Sequence, residues 1–91
     1  MPSIERVRAW ADGIAEPHPD DQATLDDCQA SDQPMWQAAG ATRVAAGHLA
    51  EFRFHAALAA STTAVELLGD PADHDAAKVA CWAWHVRAAA L

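Results

Sequence analysis

The chain contains no asparagine and no tyrosine, one lysine, two cysteines and four glycines in 91 residues. Each shortage removes a class of protein. Cys28 and Cys81 stand far apart and form no CxxC pair. A disulfide scaffold is cysteine-dense, so both thiols are expected to be reduced. The glycines are single and scattered, which leaves no Gly-rich loop to cradle a phosphate. The six Lys and Arg are scattered too. Neutralising nucleic-acid phosphates takes clustered bases, so direct nucleic-acid binding is not expected. No long apolar run is free of charge. The longest, 38–68, is interrupted by Arg43, Glu51, Arg53 and Glu66, whereas a membrane span needs roughly 20 predominantly apolar residues. No basic segment followed by an apolar run opens the chain, so no secretory signal is read and the expected compartment is the cytoplasm.

What is abundant is alanine. Hydrophobic residues make up 52% of the chain, which argues against disorder throughout, but 24 of them are Ala. Apolar burial contributes about 25 cal/mol per Å², and an Ala has little area to bury. A chain of this length makes one domain, 1–91, whose surface-to-volume ratio is already marginal. Close helix packing through Ala and Gly is expected, with help from self-association or a partner. The absent residues have AT-rich codons, while Ala and Arg have GC-rich ones; the usage resembles that of a GC-rich bacterial or phage genome.

Periodicity predicts an all-α fold. Ser3 is a suitable N-cap for a first helix over 3–16, where Ile4, Val7, Trp10, Ala11 and Ile14 form an apolar stripe that Pro17 and Pro19 stop. Residues 20–32 read as a loop or as a short helix capped by Asp20 or Asp21, with Leu25 and Cys28 on one side. A long helical region over 33–68 follows, capped by Ser31 or Asp32, with Pro34 in its first turn. Gly40 and Gly47 mark where it would kink or break; unbroken, it would extend roughly 54 Å. Gly69 supplies a stop, and Asp70 with Pro71 starts a last helix reaching about Ala90. The expectation is a bundle of three or four helices around an antiparallel hairpin over 33–90, joined by a very short turn, with an acidic segment over 12–32.

The net charge is −7, and its placement is uneven. Between Ala9 and Thr42 there is no Lys or Arg, but there are seven acids: Asp12, Glu16, Asp20, Asp21, Asp26, Asp27 and Asp32. They account for the whole excess. One reading is a solvated face that resists aggregation. The sharper one is a docking surface for a basic protein partner.

The histidines offer an alternative. His48, Glu51 and His55 have i, i+3, i+7 spacing on one helix face, and Cys81 and His85 are i, i+4. Folding the hairpin about Gly69 and Asp70 places His55 level with His85. Glu51, His55, Cys81 and His85 are the ligand types of a site for zinc or another transition metal. The spacing matches neither CxxC nor HExxH, and surface histidines paired with Glu51 are the stronger explanation of it. No cofactor is required, and no catalytic constellation is visible. Ser61, Thr62 and Thr63 are expected to bond back onto the helix.

Four tryptophans complete the pattern. Trp82 and Trp84 point about 200° apart on a helix. Val79, Ala83, Val86 and Ala90 form the buried line with Trp82 beside it, so Trp84 covers a second surface. Phe52 and Phe54, on one continuous helix, would likewise point to opposite sides. Trp36 and Trp84 join the seven acids as candidate partner contacts. The leading expectation is a non-enzymatic interaction protein of bacterial or phage regulator, inhibitor or immunity type. A metal-binding helical protein and a self-assembling subunit, for instance a homodimer, are the alternatives.

Overall fold

Ser3 caps the first helix as its sequence position suggests: its hydroxyl accepts from the Arg6 amide at 3.3 Å. The computed structural model describes residues 2–14 and 16–91, and within them every regular element is helical. Helix α1 (Ile4–Ala11) is shorter than the predicted 3–16. Its end is set by Gly13, not by Pro17. The Gly13 amide donates to the Trp10 carbonyl and the Ile14 amide to the Ala9 carbonyl, while Gly13 adopts φ +78. This is the Schellman arrangement, whose left-handed residue is most easily a glycine. Ala15, inside the predicted span, lies outside the described residues.

Helix α2 (Asp21–Ala30) takes the helical alternative for the acidic segment, with Asp20 at its N-cap but no side-chain capping bond. Helix α3 (Pro34–Ala50) begins with Pro34 in its first turn, as expected; the N-cap is Gln33 rather than Ser31 or Asp32. Ser31 contributes differently, its hydroxyl accepting from the Gln33 amide at 3.1 Å.

The region 33–68 is two helices, and the break falls neither at nor between the glycines. Gly40 and Gly47 lie inside α3, which ends at Ala50; α4 (Phe54–Leu68) starts after a three-residue turn. There the Phe52 amide donates to the Leu49 carbonyl and the Arg53 amide to the His48 carbonyl. This is a second Schellman end, with Phe52 at φ +60 in the place a glycine would favour. No local breaker announces it. The turn lets α4 fold back against α3 and bury Ala57, Ser61 and Ala64.

The last helix, α5 (His74–Ala90), also starts later than the sequence suggests. Asp73, not Asp70, is its cap, accepting from the Ala76 amide at 2.8 Å. Pro71 therefore stays in the 69–73 connection. That link is too short to run the length of either helix, so α4 folds back along α5; the hairpin expected over 33–90 with a very short turn is cut back to 54–90, with a five-residue connection, because α3 is a separate helix. Helices α3, α4 and α5 pack together as the centre; α1 rests on α5 and α2 on α3. The described residues thus form five helices instead of three or four.

Alanine makes this packing possible. Ala38, Ala39, Ala45, Ala57, Ala64 and Ala83 are completely buried. Val7, Trp10, Cys28, Trp36 and Val79 join several of them in the core. Val79, Ala83, Val86 and Ala90 are the buried line of α5, as predicted. Buried hydroxyls bond back along their own helices: Thr42 donates to the Ala38 carbonyl at 2.8 Å and Ser61 to that of Ala57 at 2.7 Å. Among the described residues no buried side-chain polar atom lacks a partner.

The two glycines of α3 should respond oppositely to alanine. At Gly40 a Cβ would meet the Cys28 Cβ at 3.1 Å, where α2 crosses α3; at Gly47 it would meet nothing within 4 Å. Gly47→Ala should stabilise the fold by about 0.5–1 kcal/mol through helix propensity. Gly40→Ala should lose that gain to overpacking and end about 1 kcal/mol less stable than the parent. Urea unfolding of both variants checks the difference in sign.

Candidate functional site

The Trp10 indole organises the region around the acidic segment. Its Nε1–H donates to Asp21 Oδ1 at 3.1 Å. Its ring packs against Trp82 with centroids 6.3 Å apart and planes tilted by 44°. The Arg43 guanidinium lies over it, 5.7 Å from the ring centre. Asp21 is the polar anchor of this group. Beyond Trp10 it accepts from Arg6 Nε at 3.3 Å and from the His18 amide at 3.0 Å. Partial burial pushes the Asp21 carboxyl upward, but the His18 amide, the Trp10 indole and Arg6 outweigh it and hold it below the usual carboxylate range.

These contacts divide the seven acids. Asp21 is half-buried and engaged with α1. Asp12 pairs with Lys78 of α5 at 2.6 Å. Glu16, Asp20, Asp26, Asp27 and Asp32 are exposed, with no Lys or Arg ion pair among the described residues. The candidate acidic surface is therefore narrower than the sequence implies. Trp36 leaves the set of surface candidates altogether. It is 7% exposed and belongs to the core, because α3 turns it inward beneath α2. Trp84 is 53% exposed, as the helical spacing requires, and Arg87 lies over its ring at 5.4 Å.

The four candidate metal ligands are not assembled. Glu51, His55, Cys81 and His85 are all exposed, and no group of three or more His, Cys, Asp or Glu among the described residues is placed to hold an ion. The predicted alignment assumed one helix through 51 and 55. Instead Glu51 caps α3 and pairs with Arg53, while His55 belongs to α4. Cys81 and His85 line a cleft with Asp12 and Lys78 beside the end of α1.

Two features were not read from the sequence. The first is the exposed turn between α3 and α4. Phe52 and Phe54 do not face opposite ways. Their rings meet edge to face, with centroids 6.2 Å apart, and are 78% and 47% exposed. The Phe-Arg-Phe run was the available signal, hidden by the assumption of a continuous helix. The second is a cleft of about 390 Å³ between the end of α1, the start of α2, the second half of α3 and Trp82. Arg43, Ala46, Gly47 and Ala50 form its α3 wall; their i, i+3, i+4, i+7 spacing was the signal.

The described residues define an all-α fold of five helices whose small core leaves aromatic side chains outside. No family model, curated protein or solved structure matches the chain. Among the described residues no helix is long and apolar enough to cross a membrane.

Because the Asp21 carboxyl is held low, its contribution to stability is complete above the unfolded value near pH 4 and is lost as acid protonates the folded form. Asp21→Asn should cost about 1–2 kcal/mol at pH 7. The variant and parent stabilities should converge as the pH falls below the ordinary carboxylate range, read by denaturant melts at a series of pH values.

The two thiols should also separate. Burial first, and the nearby Asp27 second, push the Cys28 thiol up to about 11, whereas Cys81 is exposed. Iodoacetamide at pH 8 should add one label rapidly, at Cys81, and a second only in denaturant. Peptide mass mapping locates both.

Proposed function

We propose that this chain is a small, acidic, non-enzymatic interaction protein that binds a protein partner and modulates or inhibits it, in the manner of bacterial or phage regulators, inhibitors and immunity proteins. Phe52 carries the reading. A non-glycine residue in the left-handed region at a helix end costs of order 1 kcal/mol, and such strain clusters at functional sites. Here it is spent on holding a large aromatic 78% exposed, paired with Phe54. Leu91, also exposed, ends α5 at the same end of the hairpin at which α4 begins. Aromatic side chains, phenylalanine among them, are enriched at protein interfaces. Glu16 lines the same cleft as Ala50, the residue that precedes the turn, so the acidic segment approaches the aromatic end. The partner that fits is a protein with an apolar pocket and a basic rim, met by Phe52 and Phe54 and steered by Glu16, Asp20, Asp26, Asp27 and Asp32. Self-assembly through the same aromatic turn is the second reading, since one exposed apolar patch serves either association. The metal-binding alternative has no comparable observation behind it.

Phe52→Gly separates strain from function. Glycine relieves the left-handed backbone, so the variant should gain about 0.5–1 kcal/mol of stability. A partner captured from bacterial lysate by the parent should nevertheless be lost by Phe52→Gly and by Phe54→Ala. It should be weakened when Asp20, Asp26, Asp27 and Asp32 are changed to Lys, with Asp21 left intact to preserve the fold. Capture undiminished in all three overturns the reading. A concentration-dependent mass in sedimentation, abolished by Phe52→Gly, reassigns the turn to self-association.

A further inference from the structure

We infer that the cleft between α1 and α3 is a binding site for a small aromatic carboxylate. Its shape points to a flat, apolar body. One wall is the small-residue face of α3, Ala46, Gly47 and Ala50; Trp82 and Ile14 stand among the residues that complete the lining. No side chain fills the space above Gly47, where an added Cβ would meet nothing within 4 Å. The volume, about 390 Å³, lies in the range of small-molecule sites. A cavity of roughly 150 Å³ accommodates benzene, so this one has room for two fused rings and a polar group.

The charged groups choose the sign of that polar group. Three line the cleft: Asp21, Glu16 and Arg43. Asp21 already accepts from Arg6, the Trp10 indole and the His18 amide, and has little capacity left for a ligand. Glu16 is exposed and solvated. Arg43 is half-buried and makes no ion pair among the described residues. Its guanidinium carbon lies over the Trp10 ring, 5.7 Å from the ring centre. A cation–π contact of this kind occupies no donor with an anion, and the guanidinium fork matches a carboxylate in bidentate fashion. The group is thereby held by an aromatic platform rather than a competing anion. A ligand with flat rings would lie along the α3 wall and place its carboxylate on the Arg43 guanidinium. This site is separate from the Phe52–Phe54 turn and does not depend on the partner-binding reading.

Titration calorimetry of the full chain with 2-naphthoate and with the uncharged 2-naphthalenemethanol tests the assignment. Naphthoate should bind at least about tenfold more tightly, the ratio expected for a charge-assisted hydrogen bond. Arg43→Gln should reduce naphthoate to the level of the alcohol. Glu16→Gln, which removes a solvated like charge from the lining, should tighten naphthoate and leave the alcohol unchanged. Gly47→Leu should abolish both, because the new side chain extends from a Cβ with nothing within 4 Å into the cleft that Gly47 lines; Ala50→Phe, at the exposed end of the same wall, provides a second blocking variant. Circular dichroism confirms that each variant keeps the helical content of the parent. No heat from either compound up to its solubility limit, equal affinities for the two, or naphthoate binding that survives both blocking substitutions overturns the inference.

Discussion

Four of the five helices meet at the Trp10 indole, and the position of α1 depends on that meeting. A helix of 8 residues does not persist in water on its own account, because nucleation costs more than so few hydrogen bonds return. Helix α1 exists because Trp10 and Val7 are buried, Trp10 is hydrogen-bonded to Asp21 at the start of α2, and its ring meets Arg43 of α3 and Trp82 of α5. Two ion pairs to α5, Arg8–Asp75 and Lys78–Asp12, fix the direction of the helix without contributing much energy, since both are solvated. The same contacts shape the cleft beside Trp10. The α1 end closes one side of it, and the α3 wall of small residues leaves it open.

An alanine-rich core sets the second constraint. The largest fully buried side chains are Val7, Val79, Thr42, Cys28 and Ser61, none of them aromatic. Helices packed through such residues approach closely, as where Gly40 lies beneath Cys28, and the interior has little room for a ring. Trp10 and Trp36 fit at the seams between helices, while Trp84, Phe52 and Phe54 remain outside. Both arginines that lack a carboxylate among the described residues, Arg43 and Arg87, lie over tryptophan rings instead. Three of the six aromatic side chains therefore stay exposed. This accounts for a protein whose candidate functions all concern binding.

Features with a local cause were legible residue by residue. Ser3 caps α1 because a hydroxyl at that position meets the third amide beyond it, and Pro34 opens α3 because a first turn has no need of its missing donor. The buried line of α5 and the exposure of Trp84 follow from helical geometry alone. Ser61 bonds back onto its own helix for the same kind of reason. The misplaced boundaries had competing local signals. Pro17 and Gly13 both end a helix, and the glycine comes first; Asp70 and Asp73 both cap one, and the second has an amide three residues on to receive.

The amino-acid sequence by itself determined that the chain is helical, that a helix ends before Gly69, which face of α5 is buried, and that its negative charge is concentrated before Thr42. Those properties rest on spacing, capping and composition, which act over a few residues. Tertiary structure alone decided that α3 ends at Ala50, that Phe52 takes a left-handed backbone, that Trp36 is buried, and that Glu51, His55, Cys81 and His85 stay apart. It also brought Arg43 to Trp10 across the bundle. No local rule selects a break at 51–53, where every residue tolerates helix. The turn forms because folding α4 back onto α3 buries a face that a continuous helix would leave in water, and that gain outweighs the strain at one phenylalanine.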